Sequence, residues 1–234
     1  MPIDVRRRRV LIAALAGAGL AALGITVASS RAAGGPVELT TSNVTPAGKL
    51  TALRAGSVYR ASTFPVALRM TAPDGGWGGA QWRTTSYGKP AFGWVAVARA
   101  PFEKPRGAIE IVTAFGPTPS VAATMARVRS EGSGATFGKP TPITLAGYTG
   151  TQIDGSVFGK WGHMFVPLTP RTGGASPTDS WRLEQGEAFR ILVLDVRGKT
   201  VVLLLDSVAL PAADFPSFLT QAERLLRALR FPPS

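Results

Sequence analysis

Few side chains in this 234-residue chain can do covalent or acid–base chemistry. Cysteine is absent. That excludes a thiolate nucleophile, a zinc–thiolate site, a disulfide framework and a lipid anchor on cysteine. The single histidine, His163, cannot build a multi-histidine metal centre. It stands in Trp161-Gly162-His163-Met164-Phe165, an expected strand, where a lone histidine is more often structural or a surface group than catalytic. No serine sits in G-x-S-x-G, so the nucleophile elbow of an α/β-hydrolase is missing. Glycoside hydrolysis would need a carboxyl pair. Asp195 and Asp206 fall near the ends of an expected hairpin, where charges sit in water, and no setting that raises a carboxyl pKa is visible around them. The glycine-rich Gly75-Gly76-Trp77-Gly78-Gly79 is followed by neither the helix nor the lysine of a phosphate cradle, and reads as a turn. The expectation is a protein without enzymatic activity, without a cofactor and without a metal site.

The aromatic residues carry the remaining candidate site. Trp77, Trp82, Tyr87, Trp94, Trp161 and Trp181 all fall in strand-like sequence. Packing in the core and on sheet faces is the ordinary use of such residues. The functional reading is an aromatic-lined groove for an apolar or sugar ligand, with Trp77, Trp82, Trp94, Trp161, His163 and Trp181 as its contacts.

The elements that would position these residues are mostly strands. Val66, Leu68 and Met70 alternate with Ala67 and Arg69, and Pro73-Asp74-Gly75-Gly76 then supplies turn chemistry. Residues 92–98 form a second strand and 109–113 a third. Ser120 opens a helix on which Val121, Met125 and Val128 make one apolar stripe, ended by Gly132-Ser133-Gly134. Residues 142–145, 147–154 and 157–166 are strands, and 171–179 is a loop. The segments 188–196 and 200–207 flank Arg197-Gly198 and form the strongest hairpin; their near-continuous apolar runs suit central strands covered on both faces. Phe215, Phe218, Leu219, Ala222, Leu225, Leu226 and Leu229 follow the helical period, with Asp214 expected as N-cap, Pro216 in the first turn and Phe231-Pro232 as the stop. The fold class expected is α+β: a single domain with an antiparallel β-sheet and two main helices packed on it.

Location is written in the N-terminus. Arg6 to Arg9 form a positive run, residues 10–27 carry no charge, and small residues follow up to Ala33. This is the order of a secretory leader, cut after Ala32; an uncleaved membrane anchor is the alternative, since 18 apolar residues are close to the ~20 that span a bilayer. In both cases the arginines stay in the cytoplasm and the rest crosses the membrane. The organisation expected is a leader or anchor over 1–32, a linker over 33–55 and one folded domain over 56–234. From residue 33 onward 21 Lys and Arg face 13 Asp and Glu, a net +8. That balance suits general solubility or an anionic partner, and the absence of a recognition-helix motif speaks against nucleic acid.

The order of parts resembles the PsbP-like superfamily, and within it the LpqN-type exported proteins of actinobacteria. The residues that carry the resemblance are 64–73, Gly75-Gly76-Trp77, 120–131, Gly147-Tyr148-Thr149-Gly150, 190–207 and 215–231, within a span of about residues 56–231. The chain departs from the lipoprotein members by lacking their lipidated cysteine. The resemblance implies an antiparallel sheet with packed helices and implies no catalytic residue. Together these readings give an exported, non-enzymatic binding or accessory domain at the outer face of the membrane or in the cell envelope. Its partner would be an anionic envelope polymer, a lipid or a membrane protein. A lipid carrier, or an envelope hydrolase with an unrecognised site, is the alternative.

Overall fold

The least polar hairpin of the chain lies at the centre of the molecule. In the computed structural model, the residues described are 35–41, 50–86, 89–102, 105–132, 134–165, 168, 180–208 and 210–233, without the side chains of Ser86, Glu131, residues 161–165, Ser180 and Arg182. The leader reading, Tyr87 and the 171–179 loop lie outside them.

Strands β1 (Val37–Glu38), β2 (Thr51–Ala52), β3 (Val58–Ala61), β4 (Leu68–Thr71), β5 (Trp77–Ser86), β6 (Lys89–Arg99) and β7 (Ala108–Ala114) precede helix α1 (Val121–Glu131). Then follow β8 (Ala135–Phe137), β9 (Thr141–Leu145), β10 (Tyr148–Val157), β11 (Trp161–Phe165), β12 (Ser180–Glu184), β13 (Ala188–Val196), β14 (Lys199–Asp206) and helix α2 (Phe215–Arg227). Nine strands make one sheet in the order β2-β5-β6-β7-β14-β13-β10-β8, with β9 also paired to β10. Every pairing in it is antiparallel. A second sheet, β1-β3-β4, and a two-stranded sheet, β11-β12, complete the strands. The expected class, a single α+β domain with a large antiparallel sheet and two helices, is what forms.

Alternation along β13 and β14 explains the two cores. Leu192, Leu194, Val196, Val201, Leu203 and Leu205 pack on one side with Phe215, Phe218, Ala222, Leu225 and Leu226 of α2 and Tyr59, Ala61, Leu68 and Met70 of the small sheet. Phe189, Ile191, Val193, Val202 and Leu204 pack on the other side with Met125 and Val128 of α1 and Trp181 and Leu183 of β12. A sheet covered on both faces needs strands apolar at both parities, and β13 and β14 are such strands. α1 starts where expected: the Ser120 hydroxyl oxygen accepts a hydrogen bond from the Ala123 N–H at 3.2 Å.

Two expectations are corrected. The described residues of 33–55 are part of the fold, not linker: Val37 and Glu38 pair in parallel with Tyr59 and Arg60, Thr51 and Ala52 pair with Gly79 and Gly78, and Leu39 and Leu53 are buried. Strands two residues long are too short to show a period. Asp214 stands at the N-cap position of α2 as expected, but its side chain makes no capping hydrogen bond; it closes a 3₁₀ turn, Ala212–Asp214, that leads into the helix.

Candidate functional site

The tryptophans fall on opposite sides of the large sheet. Trp82 and Trp94 are register partners on β5 and β6, with rings stacked at 5.5 Å and 10°. Trp181 of β12 meets Trp94 edge-on at 6.1 Å and 86°. Trp77 lies on the other side, 6.4 Å from Phe218, with the Arg99 guanidinium 5.0 Å from its ring centre. All four are buried, with at most 5% of their surface exposed. The groove expected from Trp77, Trp82, Trp94 and Trp181 is therefore corrected: the sheet separates Trp77 from the others, and the three that do meet are used in packing. Such ring pairs add about 0.5–1.5 kcal/mol each beyond burial. Trp161 and His163 lie on β11, paired with Glu184 and Arg182, but their side chains are outside the described residues.

At the end of the Trp82–Trp94–Trp181 cluster the structure brings together two carboxyl groups, Asp206 buried and Glu110 half-buried. Glu110 on β7 is the register partner of Leu204, and Asp206 on β14 that of Ala108, so the two acids are diagonal neighbours on one sheet face. Trp181 Nε1–H donates to Glu110 Oε2 at 2.8 Å. Burial pushes the Glu110 pKa up to about 7, against the pull of that hydrogen bond. Asp206 is held well above the ordinary carboxyl range, first by burial, then by the charges of Glu110 and Glu187, and against a hydrogen bond from the Val208 N–H. The placing of Asp206 in water is thus corrected, and Glu110 is a residue the sequence reading passed over. A signal for both was present. Glu110 shares its parity with Val112 and Ala114, and Asp206 with Val202 and Leu204, all buried. On a strand with two apolar faces an acid loses much of its access to solvent whichever way it points, which leaves Asp206 buried and Glu110 half-buried. Asp195 is exposed as expected, its carboxylate accepting from the Gly198 N–H at 2.8 Å.

A groove of about 610 Å³ runs beside the start of α1, lined in part by Thr118, Ser120, Thr149, Thr151, Asp195 and Thr200. Three of its hydroxyls serve the fold: Thr118 Oγ1 accepts from the Thr200 N–H, Thr200 Oγ1 donates to the Pro119 carbonyl, and Ser120 caps the helix. Among the described residues no group of three or more His, Asp or Glu could hold a metal ion.

The fold is thus that of an antiparallel α+β sheet domain with a buried aromatic and acidic interior. No protein-family model matches the chain, and no curated protein matches it significantly. Among solved structures, cyanobacterial PsbP (CyanoP) of Synechocystis sp. PCC 6803 is similar at a TM-score of 0.42 and 10% identity, over 79% of this chain and 98% of that one. LpqN of Mycobacterium tuberculosis, described as involved in cell envelope biogenesis, is similar at 0.34 and 15% identity, over 79% and 91%. A protein of unknown function from Pseudomonas aeruginosa is similar at 0.34 and 13%, over 80% and 100%. Both names read from the sequence, PsbP and LpqN, recur among these matches.

Proposed function

We propose that this chain is an exported, non-enzymatic binding or accessory domain that works at the outer face of the membrane or in the cell envelope, on an anionic component. One observation carries the reading: the acids that would balance its cations are partly withdrawn from the surface. Of the 13 acidic residues after position 32, Asp206 is buried and Glu110 half-buried, both with raised pKa values, while 21 cations remain. At neutral pH the charge that a partner meets is therefore more positive than the +8 counted from sequence. The arginine run before the apolar stretch supports delivery to the outside.

The acid pair favours a second reading, general acid–base chemistry, since a carboxyl titrating near neutrality suits that role. Against it stand the burial of Asp206 and the use of Glu110 to hold Trp181.

The full chain should bind anionic envelope fractions with an affinity that falls as salt rises, because exposed charges are screened. An alkaline-phosphatase reporter fused behind Ser234 should be active. A silent reporter overturns the location. Turnover of a wall or lipid substrate that is lost in Glu110→Gln or Asp206→Asn overturns the non-enzymatic reading.

A further inference from the structure

We infer that the face formed by Arg69, Arg230 and Arg197 around Tyr148 and Phe231 is a phosphate-binding site, and that its ligand is the phosphodiester of a soluble or wall-borne polyol-phosphate chain. This rests on the anion-binding reading above and gives it a place and a ligand class.

The site begins with a row of like charges. Arg60 on β3 is the register partner of Arg69 on β4. Arg69 in turn exchanges two backbone hydrogen bonds with Arg230, of 2.9 and 2.8 Å. Directly opposite residues project from the same sheet face, so three guanidinium-bearing side chains stand side by side, all exposed. Like charges in that relation destabilise a sheet. Among the described residues one carboxylate answers them: Glu38, opposite Arg60, which it holds at 2.8 Å. Partial burial raises the Glu38 pKa, but hydrogen bonds from Ser62, Gln81 and Arg60 outweigh it and leave the carboxyl below its usual range, so it stays charged and committed to Arg60. Among the described residues the Arg230 guanidinium donates only to carbonyl oxygens, those of Arg227 and Leu229. The Arg69 guanidinium has no partner among the described residues.

A fourth cation stands on the β13–β14 turn. Arg197 has φ +56° and Gly198 +77°, a two-residue turn whose first position ordinarily takes Asn, Asp or Gly. The Arg197 guanidinium donates to the carbonyls of Phe231 and Pro232 and lies 5.8 Å from the Tyr148 ring centre. Its charge, like that of Arg69 and Arg230, faces no carboxylate in the described structure. Beside them lies a groove of about 570 Å³, lined by Arg69, Arg230, Tyr148, Phe231, Pro232 and the Ala146-Gly147 turn; Arg197 does not line it but holds the carbonyls of its lining residues Phe231 and Pro232.

Guanidinium is the side chain best matched to phosphate, because its planar fork offers paired donors to tetrahedral oxygens. A bound phosphate would lower the repulsion along the row. The recess favours a polymer over a membrane. Phe231 at its edge is buried, and the exposed large apolar residues, Val37, Val58 and Phe158, are not among the groove's lining. Among the described residues the groove's apolar lining, Ala146, Tyr148, Phe231 and Pro232, is buried or half-buried, so no fully exposed apolar side chain there is placed to enter a bilayer.

The test uses the full chain and two probes with the same phosphodiester chemistry: a synthetic glycerol-phosphate oligomer, and vesicles of phosphatidylglycerol in phosphatidylcholine. Calorimetric titration should show the oligomer binding, and Arg69→Gln should weaken it about tenfold. Arg69→Lys should recover part of the loss. Arg129→Gln, which removes an equal charge from an exposed position on α1, should leave binding unchanged. Equal weakening in Arg69→Gln and Arg129→Gln overturns the site while leaving the anion-binding reading intact. Binding to vesicles without binding to the oligomer overturns the polymer. Binding to neither probe, and to no anionic envelope fraction, overturns the functional reading itself.

Discussion

Replacing Glu110 with Gln should change how the stability of the domain depends on pH, and the structure sets both sign and size. The Glu110 carboxyl titrates near 4.5 when the chain is unfolded and near 7 when burial holds it in the fold. Between these values the folded state keeps a proton that the unfolded state has lost. Stability therefore falls as pH rises through that window, by about 1.4 kcal/mol per pH unit for one proton. Over the whole window the loss is about 3 kcal/mol, complete once pH exceeds the folded value. The contribution is fully present below about pH 4.5. Asp206, raised for the same reasons, adds a loss of the same sign, and the two acids titrate as a coupled pair. Gln keeps the shape of Glu and a carbonyl oxygen for the Trp181 N–H, but cannot ionise. The Glu110→Gln variant should match the parent near pH 4.5 and exceed it by about 2–3 kcal/mol at pH 8. Urea unfolding at half-unit steps from pH 4.5 to 8.5, followed by tryptophan fluorescence, measures this directly, with an unchanged m-value as the sign that only stability has moved. Parallel pH profiles for the two proteins, or a variant weaker than the parent at pH 8, would refute the buried-acid account.

Leu225, fully buried beneath the sheet, should cost about 2–5 kcal/mol as Ala, whereas Arg227→Ala on the exposed side of α2 should lose no more than the weak Glu223 pair, below about 1 kcal/mol; urea midpoints compare the two. Gly150 lies on β10 where a Cβ would sit 2.2 Å from the Val193 carbonyl oxygen of the neighbouring strand. Gly150→Ala should therefore destabilise by about 1–3 kcal/mol or more, seen as a lower thermal midpoint, and a neutral result would show that β10 can move away from β13.

Much of the architecture is local and could be read from the order of residues. The period of residues 215–229 makes α2, and its five buried side chains are among those that the pattern selected. The Ser120 cap and the Val121, Met125, Val128 stripe make α1. The two apolar runs around Arg197-Gly198 make a hairpin, which sits mid-sheet because neither of its faces can meet water. Each of these depends on neighbours a few positions away, where turn chemistry and side-chain periodicity act. What tertiary structure alone decided depends on which strand lies beside which. Trp77 and Trp82 are close in sequence, yet their side chains enter different cores, because an odd spacing on one strand sends them through opposite faces. Glu110 and Asp206 become a buried pair only because β7 lies against β14. The row of Arg60, Arg69 and Arg230 exists because Arg230, three residues past the end of α2, returns to the edge of a small sheet begun near Val37. A single side chain's charge is legible in the sequence. Its neighbours across a sheet, which decide whether that charge is buried, paired or left for a ligand, are set by the fold.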